Sequence, residues 1–281
     1  MDRKKFIHTG IASAALLGIG KLANSKPELN QVGFEHLPNK EIKTMKTILH
    51  KADTRGYANH GWLNSHHSFS FANYYNPERM QFGALRVLND DIVSPSMGFN
   101  THPHNNMEII SIPLSGDLEH KDSMGNTQII KQGDIQIMSA GKGIQHSEKN
   151  KNSDKEVKFL QIWVLPKELN IQPRYDQKTF SSSNFKNKLT QIVSPAGDAE
   201  GIDIHQNAWF SMGELDKDFK TSYQIKQKNN GAYFFVLEGI VWVNNQLLEK
   251  RDGYGIWDTD KIEIKADSNS KILIIDVPMD V

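Results

Sequence analysis

Two short histidine motifs are the features of this sequence with the clearest capacity for chemistry. The first is His102-Pro103-His104 and the second is His146-Ser147-Glu148. On a β-strand, residues i and i+2 point to the same side, so each motif can direct two side chains at one point. If the two strands are neighbours, three imidazoles and one carboxylate surround that point. The pattern therefore predicts a metal site with nitrogen and oxygen ligands.

The carboxylate ligand and the ion stay open at this level. Extending the alternation of the first motif places Glu108 on the same face, where it is either a ligand or a partner of the ligands. This ligand set suits Fe(II), Mn(II), Ni(II), Co(II), Cu(II) or Zn(II). The Irving–Williams order of metal affinities does not by itself determine which of these ions is bound. Four protein ligands around an octahedral ion leave two positions open, which favours catalysis. Pro103 lacks a backbone donor, so we expect its strand at an edge or a bulge.

Composition removes several other kinds of chemistry. The chain has 281 residues and no cysteine, which excludes disulfides, thiolate zinc sites, iron–sulfur clusters and cysteine nucleophiles. Its 33 Lys and Arg residues balance 33 Asp and Glu residues, whereas nucleic acid or a membrane surface as the main partner requires a basic excess. We therefore expect a small-molecule partner, no nucleic acid, and no membrane contact in the mature protein.

The elements that must position the histidines are predicted to be short β-strands. Apolar or alternating runs recur along the chain, separated by Gly, Asn and Asp turn signals, and the only helical candidate is a short one at 181–190. This spacing predicts an all-β sandwich or barrel. The runs are Gly83–Val87, Glu108–Leu114, Ile129–Ile130, Asp134–Met138, Val157–Val164, Tyr233–Leu237, Ile240–Val243, Lys261–Ile264 and Ile272–Val277.

A weak internal repeat indicates two copies of one small β-barrel. Residues 114–119 and 131–134 correspond to residues 237–242 and 250–253. The second copy has no His-x-His motif, so we expect its barrel to be structural and free of metal. The predicted organisation is an export signal at 1–25, a linker at 26–46, an N-terminal metal-binding domain at 47–165 and a C-terminal domain at 166–281.

The first 25 residues are predicted to be an export signal rather than part of the fold. Arg3-Lys4-Lys5 precedes an apolar run from Phe6 to Ile19 and a small-residue cleavage site at Ala23-Asn24-Ser25. The apolar run is too short for a spanning helix. The start also resembles a twin-arginine signal in which lysine replaces the second arginine. We expect a periplasmic protein, or a cytoplasmic one if the signal does not function.

The histidine motifs and their surroundings resemble a known family. The segments that carry the resemblance are Arg55-Gly56, His60-Gly61-Trp62, Ser68–Phe71, Ala84–Asp91, Gly98-Phe99, Thr101–His104, Met107–Ile109, His120–Asn126, Ile137–Gly141 and Gln161–Trp163. Those around the two histidine motifs are similar to the two cupin motifs, and together the segments resemble the pirin family, above all the bacterial pirin-like proteins of the quercetin 2,3-dioxygenase type. The C-terminal half matches more loosely than the N-terminal half.

The resemblance implies a bicupin, which is an all-β fold with two jelly-roll-like β-barrels in one chain. It implies that His102, His104, His146 and Glu148 are the metal ligands. Glu148 is then also a candidate catalytic base, and Glu108 is a second candidate base outside the ligand set. One divalent transition metal per chain is expected, with Fe(II) favoured over Mn, Ni, Co, Cu or Zn. The implied activity of this monomer is cleavage of a flavonol such as quercetin by O₂, with both oxygen atoms incorporated and carbon monoxide released.

Two other functions stay open from the sequence. Some pirin relatives are metal-dependent regulators or sensors that bind a protein partner, although an export signal disfavours a transcriptional partner. A different cupin reaction on a small aromatic substrate would use the same open metal positions.

Several aromatic and histidine residues near the motifs have two interpretations. Phe69, Phe71, Phe99, Phe159 and Trp163 are candidates either for the walls of a cavity that binds an aromatic substrate or for the barrel core. Three further histidines are interpreted as packed residues that bond to the backbone, and the alternative is that they form a pocket wall or support the metal ligands; they are His66, His67 and His120.

Overall fold

The computed structural model describes residues 44–198 and 200–281, which are almost entirely β-structure. The predicted signal at 1–25 and all but the last three residues of the predicted linker lie outside the described residues. In the described ranges the helical elements are two 3₁₀ turns, Ala52–Thr54 and Ser182–Asn184, and the second lies within the segment predicted as a short helix. No helix among these residues has the length and apolar character that crossing a membrane requires.

The strands are short. Eight of the nine predicted runs lie within them, and the run Gly83–Val87 enters a strand only at Leu85. In chain order they are β1 Lys46–His50, β2 Gly56–Asn59, β3 Leu63–His67, β4 Leu85–Val93, β5 Gly98–His104, β6 Glu108–Ser115, β7 Leu118–Asp122, β8 Thr127–Ile130, β9 Asp134–Ser139, β10 Ile144–Asn150, β11 Val157–Val164, β12 Arg174–Thr179, β13 Thr190–Pro195, β14 Ile202–Ile204, β15 Trp209–Leu215, β16 Lys220–Gln224, β17 Asn230–Glu238, β18 Ile240–Val243, β19 Gln246–Glu249, β20 Gly253–Trp257, β21 Lys261–Ala266 and β22 Ser270–Pro278.

The N-terminal barrel consists of two sheets that share one interior. A seven-stranded sheet has the order β12-β9-β6-β11-β4-β3-β2, and a four-stranded sheet has the order β5-β10-β7-β8. Phe159 from the larger sheet packs in the same apolar cluster as Leu118 from the smaller sheet. Two packed antiparallel sheets of this kind form the barrel-like sandwich that the sequence predicted.

The C-terminal barrel repeats this topology, as the internal repeat predicted, except that its edge strand β14 pairs parallel with β13, whereas β2 pairs antiparallel with β3. Its sheets have the orders β1-β20-β17-β22-β15-β13-β14 and β16-β21-β18-β19. The turn that follows β6 uses Gly116 at φ 76°, and the turn that follows β17 uses Gly239 at φ 82°, a backbone region that favours glycine. The interior of this barrel is filled by apolar side chains such as Phe234, Ile256 and Ile274.

The two barrels exchange edge strands. β12 follows the predicted boundary at residue 165 in the chain, yet it pairs with β9 at the edge of the N-terminal sheet. β1 precedes the N-terminal barrel, yet it pairs with β20 in the C-terminal sheet. The predicted boundary therefore divides the chain but does not divide the sheets.

The largest apolar cluster lies between the two seven-stranded sheets. On β11, Leu160 and Ile162 belong to this cluster together with Phe235 and Ile275 of the second barrel. The alternate residue Phe159 faces the interior of its own barrel. Both faces of these strands are thus buried, which explains why they appear in the sequence as continuous apolar runs. Each fully buried large side chain contributes roughly 1.5–3 kcal/mol, so this interface stabilises both barrels.

Candidate metal centre

Three of the four predicted ligands converge in the interior of the N-terminal barrel. His102 and His104 lie on β5, and His146 lies on the neighbouring strand β10. Their ring centroids are 4.5 to 4.9 Å apart. One nitrogen atom from each of the three rings lies within 4.8 Å of the corresponding atoms of the other two rings. Among residues 44–198 and 200–281, no other group of His, Asp or Glu side chains is close enough together to hold a metal ion.

The local structure of β5 brings its two histidines to this point. β5 is the edge strand of the four-stranded sheet. His146 lies opposite His102, whereas Glu148 lies opposite Phe99, so β5 carries one extra residue between these pairs. The expectation that Pro103 lies in an edge strand or near a bulge is confirmed, because an edge strand tolerates a residue without a backbone donor.

The chemical state of the histidines fits a divalent transition metal. Both ring nitrogens of His146 are buried and have no hydrogen-bond partner. The Nδ1–H of His102 donates to the carbonyl oxygen of Asn100 at 2.7 Å, which leaves Nε2 free to bind an ion. Burial, together with the neighbouring imidazoles, lowers the pKa of His146 to about 3 and that of His104 to about 4. These rings are neutral at neutral pH, which is the form that ligates metals.

Glu148 lies on the same strand as His146 and lines the same cavity. The Ser111 hydroxyl donates to Glu148 Oε1 at 2.7 Å, and the Gln161 side-chain amide donates to Oε2 at 2.5 Å. Each carboxylate oxygen keeps a second lone pair that can bind an ion. Sequence reasoning missed Ser111 and Gln161 as site residues. The signal in the sequence was that each of them is a polar residue in the middle of an otherwise apolar run.

The structure does not bring Glu108 to the three histidines. Glu108 is three residues from Ser111 on β6, so it faces the other side of the sheet, toward the second barrel. It accepts hydrogen bonds from Ser139 Oγ at 2.8 Å and from the backbone N–H of His205 at 3.2 Å, and burial raises its pKa. The sequence expectation extended the alternation of β5 through Asn106, but Asn106 has φ 49° and turns the chain before β6 begins.

His120 supports the metal centre from the neighbouring strand β7. It is fully buried, and its Nε2 lies 3.1 Å from Asp122 Oδ2. Its ring contacts the His146 ring at 5.4 Å between centroids and packs on Tyr175 at 4.7 Å. His120 is packed, as predicted, but its partner is a carboxylate rather than the backbone, and its ring fixes the position of His146.

An apolar cavity of about 650 Å³ opens from the three histidines. Of the five aromatic residues that had two interpretations, Phe71, Phe99 and Trp163 line this cavity, whereas Phe69 and Phe159 are core residues. Trp163 packs edge-on against both Phe71, at 5.3 Å, and His104, at 4.9 Å. The walls next to the metal centre are therefore aromatic and suit a flat apolar ligand.

Replacing Gly98 with alanine should lower both stability and metal affinity. A Cβ at this position would overlap the backbone oxygen of Glu148, so β5 must move away from β10. We expect a loss of about 1–3 kcal/mol in the free energy of unfolding and weaker metal binding. Urea unfolding and metal titration measure the two effects. The control Gly197→Ala meets no atom within 4 Å but has φ 91°, so it should reduce stability and leave metal affinity unchanged. Unchanged metal affinity in Gly98→Ala would contradict the proposed role of this contact.

Two family models match the chain, one for each barrel. The model described as Pirin matches residues 48–164. The model described as Quercetinase C-terminal cupin domain matches residues 191–277. The matched ranges agree with the two barrels of the structure, and the first contains all three clustered histidines.

Individual relatives match almost over their full length. The chain is 44% identical over 230 residues to the quercetin 2,3-dioxygenase of Escherichia coli strain K12, covering 82% of this chain and 98% of the relative. The crystal structure of YhhW from Escherichia coli is 43% identical, with a TM-score of 0.80 over 84% of this chain and 99% of that chain. A structure of the bacterial pirin YhhW in complex with nickel(II) is 42% identical, with a TM-score of 0.79 over 84% of this chain and 100% of that chain.

Proposed function

This chain belongs to the pirin family, and from that membership and its metal centre we propose that it is a metal-dependent dioxygenase that cleaves a flavonol such as quercetin. The observation that carries the proposal is the convergence of three imidazoles at the base of an aromatic-walled cavity. Relatives of high identity carry the name quercetin 2,3-dioxygenase, and one similar structure holds nickel(II), which supports both the activity and the metal.

The proposed ligands are His102, His104, His146 and Glu148. Bound there, a divalent transition metal would supply a Lewis acid with open positions for the chelating oxygens of a flavonol and for dioxygen. The ligand set alone does not select Fe(II) over nickel or the other ions, and Fe(II) remains our favoured ion.

The cavity walls position the substrate. Phe99 packs edge-on against Trp62 at 5.2 Å, and Phe71 packs in the same way against Trp163 at 5.3 Å. These residues all line the cavity, so an aromatic ring system entering it is bounded by ring faces and edges. The aromatic lining also excludes water from the reacting end, which strengthens the electrostatic interactions there.

Glu148 is the group that we propose to accept a proton from the substrate hydroxyl. Its two oxygens are held in place by Ser111 and Gln161, and it is 2% exposed. A fixed carboxylate within reach of the substrate meets the geometric requirement for a general base. Among the residues that the structure describes, no other carboxylate lies two positions after one of the three clustered histidines on the same strand.

Removal and return of the metal should switch the activity off and on. We expect protein treated with a chelator to lose flavonol turnover and to regain it when one divalent ion per chain is added. Binding of an ion at about 1,000 times its Kd should also stabilise the fold by about 4 kcal/mol, which thermal unfolding detects. The assay is the loss of flavonol absorbance with and without O₂, together with detection of carbon monoxide. Metal-loaded protein that consumes no flavonol in the presence of O₂ would refute the proposed function.

A further inference from the structure

A row of polar side chains crosses the inner face of the seven-stranded N-terminal sheet. Each residue of the row lies directly opposite the next one on the neighbouring strand, from β3 through β4, β11 and β6 to β9. Such a row is unusual in a barrel interior, where buried polar groups require partners. In spatial order the row is His67, Asn89, Gln161, Ser111 and Gln136.

The His67–Asn89 end of the row differs from the centre and from the other end, where the amide of Gln136 is also without a partner but does not line the cavity. Gln161 and Ser111 at the centre donate to Glu148, so their role is accounted for. His67 and Asn89 are each 2% exposed and line the cavity. The Nδ1 atom of His67 and the Oδ1 atom of Asn89 have no hydrogen-bond partner. A buried polar atom without a partner destabilises the fold, so these two atoms indicate a missing ligand.

The position of this pair separates it from the metal centre. Asn89 is one strand away from Gln161, and His67 is two strands away. Neighbouring strands lie about 4.8 Å apart, so His67 is roughly 10 Å from the strand whose amide holds Glu148. Phe71 packs edge-on against His67 at 5.3 Å between centroids and against Trp163 at 5.3 Å, so an aromatic wall extends from the metal end to this pair.

The charge near the pair favours a neutral ligand group. Ser65 and Asp91 occupy the next row of the same two strands and also line the cavity. The Ser65 hydroxyl donates to Asp91 Oδ1, so this donor is already used. No Lys or Arg is present among the described residues that line the cavity, so an anionic group beside this pair would be buried without a cationic partner. A hydroxyl is neutral, and it both donates to Asn89 Oδ1 and accepts from an imidazole N–H.

We propose that His67 and Asn89 form a subsite that recognises a phenolic hydroxyl on the part of the substrate remote from its metal-binding oxygens. The substrate class is therefore a polyhydroxylated flavonol or a phenol of similar shape, rather than an unsubstituted aromatic. This inference rests on the proposed function for the chelating end of the substrate. It adds His67 and Asn89 as the residues that determine specificity for the remote hydroxyl.

Paired ligands test the subsite directly. Quercetin carries hydroxyls on both of its outer rings, whereas 3-hydroxyflavone keeps the chelating oxygens and has no other hydroxyl. We expect metal-loaded wild-type protein to bind quercetin about 10-fold more tightly or better than 3-hydroxyflavone. Asn89→Leu and His67→Phe should each remove most of this preference by weakening quercetin binding, with 3-hydroxyflavone affinity within about twofold of wild type. Isothermal titration under anaerobic conditions measures both affinities without turnover.

The controls separate this subsite from the proposed reaction. Tyr57→Phe removes an exposed hydroxyl from the cavity rim, where it donates to Asn64, and should leave the preference unchanged. Equal wild-type affinities for the two ligands, or no binding of either, refute the subsite, whether or not the variants fold. A normal preference without oxygen-dependent cleavage refutes the dioxygenase function and leaves the subsite standing. Cleavage of both ligands with no preference between them refutes the subsite and leaves the dioxygenase function standing.

Discussion

Replacing His146 with alanine should remove the bound metal and bring flavonol turnover down to the level of the metal-free protein. Both ring nitrogens of His146 are buried without a partner, and its ring contacts those of His102 and His104. Binding energies of about 10–16 kcal/mol for an ion held by four ligands imply a loss of roughly 3 kcal/mol or more per ligand, which lowers affinity at least about 100-fold. Elemental analysis after dialysis against a weak chelator measures this loss.

A second buried histidine supplies the matched control. His50 is 4% exposed and pairs through Nδ1 with the Tyr233 hydroxyl at 2.9 Å, in contact with the second barrel. His50→Ala should destabilise the fold by about 1–3 kcal/mol through the lost hydrogen bond and packing, yet retain a full complement of metal. If both variants lost metal to the same extent, the loss would follow from general destabilisation, and His146 would not be a ligand.

The fold was largely predictable because burial leaves a strong pattern in β-sequences. The apolar runs at Val157–Val164 and Ile272–Val277 form strands that are buried on both faces. One face of each strand packs between the two barrels, and the other faces the interior of its own barrel. The exchange of β1 and β12 was not predictable. Most of their residues are exposed or half-buried, and the backbone hydrogen bonds that join them to β20 and β9 carry no sequence preference.

The metal centre was predictable only as far as strand alternation reaches. The i, i+2 spacing of His102 and His104, and of His146 and Glu148, places each pair on one face of one strand. The same reasoning misplaced Glu108, because the positive φ of Asn106 interrupts the strand.

Contacts between different strands could not be predicted from the alternation of residues along one strand. The partners of Glu148 are 37 and 13 residues away in the chain, on strands of the opposite sheet. The unpartnered atoms of the polar row likewise become visible only when the register of neighbouring strands is known.

The two buried glutamates should respond to mutation in opposite ways. Glu148→Ala should cost at least about 100-fold in metal affinity, because the carboxylate is a proposed ligand and its oxygens face the cavity. Glu108→Ala should leave metal affinity within about twofold. It should instead lower the free energy of unfolding by about 2–4 kcal/mol, since Ser139 Oγ and the His205 N–H both lose their acceptor inside the protein.

The amide variants separate charge from shape in this comparison. Glu148→Gln keeps an oxygen for Ser111 but places an amide where Gln161 donates, and it removes the negative charge that offsets a divalent ion, so metal affinity should still fall. Glu108→Gln keeps one oxygen, which can accept from both Ser139 and His205 as Oε2 of Glu108 does, and should recover part of the stability that alanine loses. Metal titration and urea unfolding of all four variants give two independent readouts. Equal metal losses at positions 108 and 148 would remove the assignment of Glu148 as the carboxylate ligand, because Glu108 is bonded to Ser139 and His205 and faces away from the histidines, whereas Glu148 lines their cavity.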